Sequence, residues 1–95
     1  MMYPKPKTYR SKKYLEFIRG LNCIVCGHPD TVPHHEPLGH GGKGIKAPDS
    51  QTLPMCTGCH MYRHQAGVGY WDDMNVDPQM AIIKLLTEYL HEKGV

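Results

Sequence analysis

The hydrophobic and polar positions of the chain follow a helical pattern at both ends and a shorter, irregular pattern in the middle. Near the N-terminus, a run of apolar residues at helical spacing follows Ser11 and ends at Gly20. These apolar residues are Tyr14, Leu15, Phe17 and Ile18. Serine is a favoured N-cap and glycine a favoured C-terminal stop, so the pattern predicts a helix from Ser11 to Arg19.

The clearest helical pattern lies at the C-terminal end. Asp77 is a suitable N-cap, Pro78 occupies the favoured first position, and the pattern stops at Gly94. The apolar residues with a period near 3.6 are Met80, Ile82, Ile83, Leu85, Leu86, Tyr89 and Leu90. We expect this face to pack against the domain, and the preceding aromatic pair, Tyr70 and Trp71, to fill the core.

The middle of the chain predicts two short strands and one more helical segment. Residues 31–38 form a short strand pattern, and residues 51–56 form a second strand or turn. The glycine-rich stretch between them, residues 39–50, is typical of a surface loop. After the second strand, a helix with Thr57 as N-cap would end at Gly67. The elements together predict a small α+β domain.

Length and charge limit the architecture further. The chain has 95 residues and a net charge of +2, which favours one domain. The positive charge is concentrated in residues 1–22, which hold six basic residues and one acidic residue. Residues 1–10 contain Pro4 and Pro6 and show no apolar periodicity, so we expect a basic flexible arm before a single domain at 11–95.

The apolar runs are too short to cross a membrane, which takes about 20 residues, and no signal peptide is evident at the N-terminus. We therefore expect a cytoplasmic protein that does not contact membranes. The cytoplasm is reducing, so cysteines there are more often metal ligands than disulfide partners.

The four cysteines form two Cys-x-x-Cys pairs, Cys23 with Cys26 and Cys56 with Cys59. Four thiolates satisfy a tetrahedral zinc ion, so this pattern predicts a structural zinc site, with iron as an open alternative. The 29 residues between the pairs exceed the roughly 15–20 of a compact zinc ribbon. A redox dithiol is a third interpretation, but it leaves the histidines unexplained.

The histidines predict a second metal site inside the cysteine frame. His60 and His64 are four residues apart, so both imidazoles lie on one side of a helix. A third nitrogen from the His34-His35 pair would complete a three-ligand site with open positions, which is the catalytic pattern. We expect His28 and His40 to be surface residues.

This order of residues resembles that of the HNH endonucleases. The shared features are a double histidine, a glycine-rich loop, and Cys-x-x-Cys-His followed by a further histidine, and they cover Cys23 to His64. The resemblance implies a ββα-metal finger with its core at 23–65. The four-cysteine zinc would stabilise this finger, an N-terminal basic helix and a C-terminal amphipathic helix would flank it, and it would be similar to small phage or prophage HNH proteins.

The resemblance also implies roles for individual residues. His34, His60 and His64 would bind the catalytic metal, and His35 would be the general base. Most of the family has an asparagine nine residues before the first helix histidine, where this chain has Gln51. Asp49 is the other candidate for that role, and the sequence does not choose between them.

The implied activity is hydrolysis of DNA, by nicking or double-strand cleavage, to 5′-phosphate and 3′-hydroxyl ends. It would use one divalent metal, Mg, Mn, Ni, Co or Zn, besides the structural zinc. The partners would be DNA and a second copy of the chain or other phage DNA-processing proteins. The candidates for phosphate contact are Arg10, Lys12, Lys13, Lys43 and Arg63. The alternative function is a non-catalytic zinc module that binds nucleic acid or protein.

Overall fold

The computed structural model describes residues 9–38 and 47–94. Its elements in chain order are α1 (Lys12–Arg19), β1 (Val32–His35), β2 (Thr52–Met55), α2 (Thr57–Ala66), α3 (Tyr70–Asp73) and α4 (Pro78–Glu92). The expectations for arm residues 1–8 and for the glycine-rich segment 39–46, with His40 and Lys43, lie outside the described residues. The predicted α+β class is confirmed.

The two strands pair antiparallel, and α2 follows β2 after one residue. In this register His34 lies opposite Leu53 and His35 lies opposite Thr52. Successive strand residues point to opposite faces. His34 is accordingly buried on the inner face, whereas His35 is partly exposed.

The core draws two large side chains from each of four elements, α1, β2, α3 and α4. The buried residues are Tyr14, Ile18, Leu53, Met55, Tyr70, Trp71, Ile82 and Leu85. The predicted core position of Tyr70 and Trp71 is confirmed, at 1% and 3% exposure. Because Leu53 and Met55 of β2 pack in this core, α1, α3 and α4 fix the position of the strand that leads directly into α2.

Side chains cap α1, α2 and α4 at their N-terminal ends. Ser11 Oγ accepts a hydrogen bond from Tyr14 N, and Asp77 Oδ1 accepts from Gln79 N, as expected for N-caps. In α2 the prediction is wrong by one residue, because the cap is Cys56 rather than Thr57.

One face of α4 departs from its predicted packing. Ile82 and Leu85 are buried, but Met80, Ile83 and Leu90 remain 61%, 49% and 48% exposed. The apolar stripe is therefore wider than the surface that α1 and β2 cover. None of the helices among the described residues is both long enough and apolar enough to span a membrane.

Candidate functional site

The four cysteines converge on one point. The sulfur atoms of Cys23, Cys26, Cys56 and Cys59 all lie within 4.8 Å of one another, and Cys26 Sγ is 3.5 Å from Cys56 Sγ. Zinc–sulfur bonds of about 2.3 Å in a tetrahedron place the sulfurs about 3.8 Å apart. The cluster could therefore bind a metal ion.

Two tight turns build this cysteine cluster. The first closes when Gly27 N donates to Cys23 O at 2.9 Å, and the φ of 80° at Gly27 is one that glycine adopts without strain. A bond from Ile24 N to Pro54 O fastens this turn to β2. The second turn is the start of α2, where Cys56 Sγ accepts a hydrogen bond from Cys59 N.

The thiols of the cluster differ in acidity. Burial raises the pKa of Cys23, but backbone N–H groups at Cys26, Cys56 and Val25 outweigh it and lower that pKa to about 6. Burial raises the pKa of Cys59 to about 12, against a hydrogen bond with Tyr70 that lowers it. A bound ion would replace the protons of the thiols, because metals bind the thiolate form.

Three histidines form a second cluster, as the sequence predicts. One ring nitrogen from each of His34, His60 and His64 lies within 4.8 Å of the others. His60 Nε2 and His64 Nε2 are 3.0 Å apart, close to the separation of two nitrogens bound to one zinc at about 2.0–2.1 Å. Burial, and then the neighbouring His34 and His64, lower the pKa of His60. This favours the neutral imidazole that metals require.

A buried ion pair that the sequence did not reveal supports His34. His34 Nε2 donates to Glu36 Oε1 at 2.8 Å, and Arg63 donates to both carboxylate oxygens of Glu36 at 3.0 and 2.8 Å. Burial alone would raise the pKa of Glu36, but His34 and Arg63 lower it. The alternation of β1 was a usable signal, since Glu36 follows His34 by two residues and shares its face.

The ion pair changes the interpretation of Arg63. The sequence offered it as a phosphate contact, with a solvent-exposed surface residue as the alternative. Its side chain is 8% exposed, and two of its N–H groups bind Glu36. The surface alternative is therefore wrong for Arg63, because its guanidinium binds Glu36 inside the domain, and its contact with phosphate stays a prediction.

His35 pairs with Asp49. His35 Nε2 lies 2.8 Å from Asp49 Oδ1, and Asp49 also accepts from Ser11 N at 2.8 Å and from Arg10 at 3.0 Å. Burial raises the pKa of Asp49, but the hydrogen bonds from His35, Ser11 and Arg10 outweigh it and lower the pKa. At 36% exposure, the His35 side chain is accessible to solvent.

The structure distinguishes the two candidates for orienting His35. Asp49 binds the ring, whereas within the described residues no hydrogen bond joins the Gln51 side chain to His35. Gln51 contributes its backbone instead, since its carbonyl oxygen accepts from Glu36 N at 2.9 Å. The 3₁₀ turn Asp49–Gln51 directs the Asp49 side chain to His35.

The basic candidates near the N-terminus have different environments. Arg10, predicted to be part of a flexible arm, donates to Asp49 and to Ala47 O, and Tyr9 O accepts from Asp49 N. The last two residues of that arm are therefore attached to the domain. Lys12 and Lys13 are exposed on α1, and their contact with phosphate stays a prediction.

Comparisons with known proteins identify a family. Residues 1–89 match a family described as a protein of unknown function, DUF968. The uncharacterized protein YdfU of Escherichia coli (strain K12) is 36% identical over 74 residues, which cover 76% of this chain and 21% of YdfU. The chain thus spans about a fifth of the length of this relative. No solved structure matches the chain.

Proposed function

Because the chain belongs to the DUF968 family of proteins of unknown function, we propose its function from the site itself: a metal-dependent endonuclease of the HNH type that hydrolyses DNA phosphodiester bonds. The observation that carries the proposal is the convergence of His34, His60 and His64, next to a His35 that is paired with Asp49. The order of two antiparallel strands and a helix supports it, since these elements deliver the histidines.

A divalent cation fits the histidine cluster. The three nitrogens are close enough to share one ion, His34 is buried, and His64 is exposed, so one side of the site is open to solvent. Nitrogen ligands favour Mn, Co, Ni or Zn over Mg in affinity. When bound there, the cation would supply Lewis-acid stabilisation of the charge that develops on phosphate oxygens. The cysteine cluster would hold a separate structural zinc.

His35 supplies the general base in this proposal. Its Nε2–H donates to the Asp49 carboxylate, which leaves the Nδ1 lone pair able to accept a proton from water. The water oxygen forms a bond to phosphorus as its proton passes to Nδ1, and the bond from phosphorus to the 3′-oxygen breaks. Solvent water protonates the leaving oxygen. Asp49, held by Arg10 and the Ser11 amide, orients His35 and stabilises the imidazolium.

Cleavage of supercoiled plasmid across Mg, Mn, Co, Ni and Zn tests the proposal. A positioned general base contributes about 10²–10⁴-fold, so His35→Ala should lower the rate by that factor while its fold and bound metals stay unchanged. His28→Ala is the matched control, because His28 is an exposed histidine outside the cluster. Undiminished cleavage by His35→Ala would overturn the assignment.

The alternative, a non-catalytic zinc module, predicts different results in the same assay. Such a protein would hold one ion per chain in the cysteine cluster, and no metal would promote cleavage. Metal content measured by native mass spectrometry, together with the plasmid assay, therefore separates the two functions.

A further inference from the structure

The two ring nitrogens of His34 have unequal surroundings. His34 is 2% exposed, and its Nε2 is bound to Glu36. Its Nδ1 is buried without a hydrogen-bond partner among the residues that the structure describes. Buried polar atoms are nearly always paired, so a lone nitrogen in a cluster of imidazoles indicates a ligand position.

Glu36 and Arg63 fix this arrangement. Arg63 binds both carboxylate oxygens of Glu36, so the carboxylate cannot turn away from His34 without losing a bidentate pair. The carboxylate accepts, so Nε2 carries the proton and Nδ1 keeps its lone pair. A buried ion pair is weak evidence for stability, so the contact of Glu36 with His34 is the observation that points to an orienting role.

We propose that the Glu36–Arg63 pair is a positioning device that sets the tautomer of His34, so that His34 binds the divalent cation through Nδ1. His60 and His64, whose Nε2 atoms face each other at 3.0 Å, bind it through Nε2. The inference rests on the metal site of the proposed function and adds which nitrogens, and which buried residues, define that site. It does not depend on the substrate.

Long-range ¹H–¹⁵N correlation spectra of the ¹⁵N-labelled, zinc-loaded protein test the ligand atoms without any variant. We expect His34 with Nε2 protonated and Nδ1 bound to zinc, and the opposite pattern for His60 and His64. Ligation of His34 through Nε2 would overturn the inference and leave the nuclease proposal standing. Failure of zinc to bind the histidines would overturn both, whereas lack of cleavage with Nδ1 ligation intact would overturn the nuclease alone.

Calorimetric titration with zinc tests the ion pair. Loss of a group that orients a metal ligand typically weakens metal affinity about 10–100-fold, which we expect for Glu36→Gln. The double variant Glu36→Leu with Arg63→Leu leaves no unpaired buried charge, so it should keep its fold and show the same loss. Glu88→Gln, an exposed glutamate on α4, is the control and should bind as the wild type does.

The same spectra, recorded on the Glu36→Gln variant, show whether Glu36 sets the tautomer of His34. Without the carboxylate, His34 in Glu36→Gln should populate both tautomers before zinc is added, a change that a role in folding alone would not produce. Wild-type zinc affinity at the histidine cluster in the folded double variant would overturn the inference.

Discussion

The cysteine cluster and the histidine cluster lie on neighbouring parts of the chain but are built in different ways. The cysteine cluster takes two cysteines from each of two tight turns, and the bond from Ile24 N to Pro54 O holds the first turn against the strand that leads into the second. The histidine cluster takes His34 from β1 and two ligands from α2, so it exists only when the sheet and the helix are in place.

This difference separates a site suited to folding from a site suited to chemistry. Four cysteines can complete a tetrahedral shell by themselves, which is typical of structural zinc. Three histidines leave positions open on the exposed side, and a buried ion pair orients one of them. We therefore expect the fold to require an ion at the cysteine cluster and to persist without one at the histidine cluster.

The largest expected effect is on the cysteine cluster. Removal of its metal by a chelator, or Cys59→Ser, should unfold the domain, since structural zinc in finger peptides contributes about 10–16 kcal/mol. Circular dichroism should show loss of helix. A helical spectrum that is unchanged after metal removal would show that the core alone maintains the fold.

A smaller effect is expected at the histidine cluster. His64→Ala should reduce the bound ions from two to one per chain and leave the helical spectrum intact, because His64 is exposed. Native mass spectrometry measures the stoichiometry, with the exposed His91→Ala as control. Unfolding of His64→Ala would mean that the two clusters are not separable.

Asp49→Asn should affect cleavage without changing metal content. The amide still contacts His35 but no longer stabilises its charged form, so we expect a rate about 10–100-fold lower, less than the loss in His35→Ala. Plasmid nicking measured beside metal stoichiometry tests this. A rate equal to that of the wild type would show that the His35–Asp49 pair does not contribute to catalysis.

The same variant predicts a pH dependence of stability. The pKa of Asp49 is lowered in the fold, so its stabilisation is complete above the unfolded value near 3.9 and is lost as pH falls through the folded value. Urea unfolding should separate wild type from Asp49→Asn at pH 7, and the gap should close below pH 4. The exposed Asp73→Asn is the control.

The smallest effect should lie outside both clusters. Asp77→Ala removes the cap of α4, which costs about 1 kcal/mol, and should leave both ions bound. Urea unfolding measures the loss. Release of either ion by this variant would show that α4 supports the clusters directly.

Residue type and spacing predicted the four cysteines and the pair His60 and His64, because i, i+3 and i, i+4 relations are local. The choice of His34 over His35 came from the family resemblance. The sequence did not show whether Asp49 or Gln51 is the partner of His35, because the 3₁₀ turn Asp49–Gln51 determines which side chain reaches the ring. The burial of Arg63 could not be predicted from the sequence either. Its burial depends on the distance between β1 and α2, and no local pattern encodes that distance.

The apolar pattern of the C-terminal helix predicted the helix but not which of its apolar residues are buried. The 3.6-residue pattern found α4 and its cap, but it did not distinguish the buried Ile82 from the exposed Ile83. Burial depends on how much of the helix its neighbours cover, and that is a property of the assembled domain.

Cys59 and His60 are consecutive residues in the first turn of α2, and each belongs to a different cluster. In terms of thermodynamic linkage, an ion that orders this turn at one cluster lowers the entropy cost of binding at the other. Linkage is reciprocal, so each ion should raise the affinity for the other by the same factor. We therefore expect an ion at the cysteine cluster to lower the metal concentration at which the histidine cluster binds its own ion.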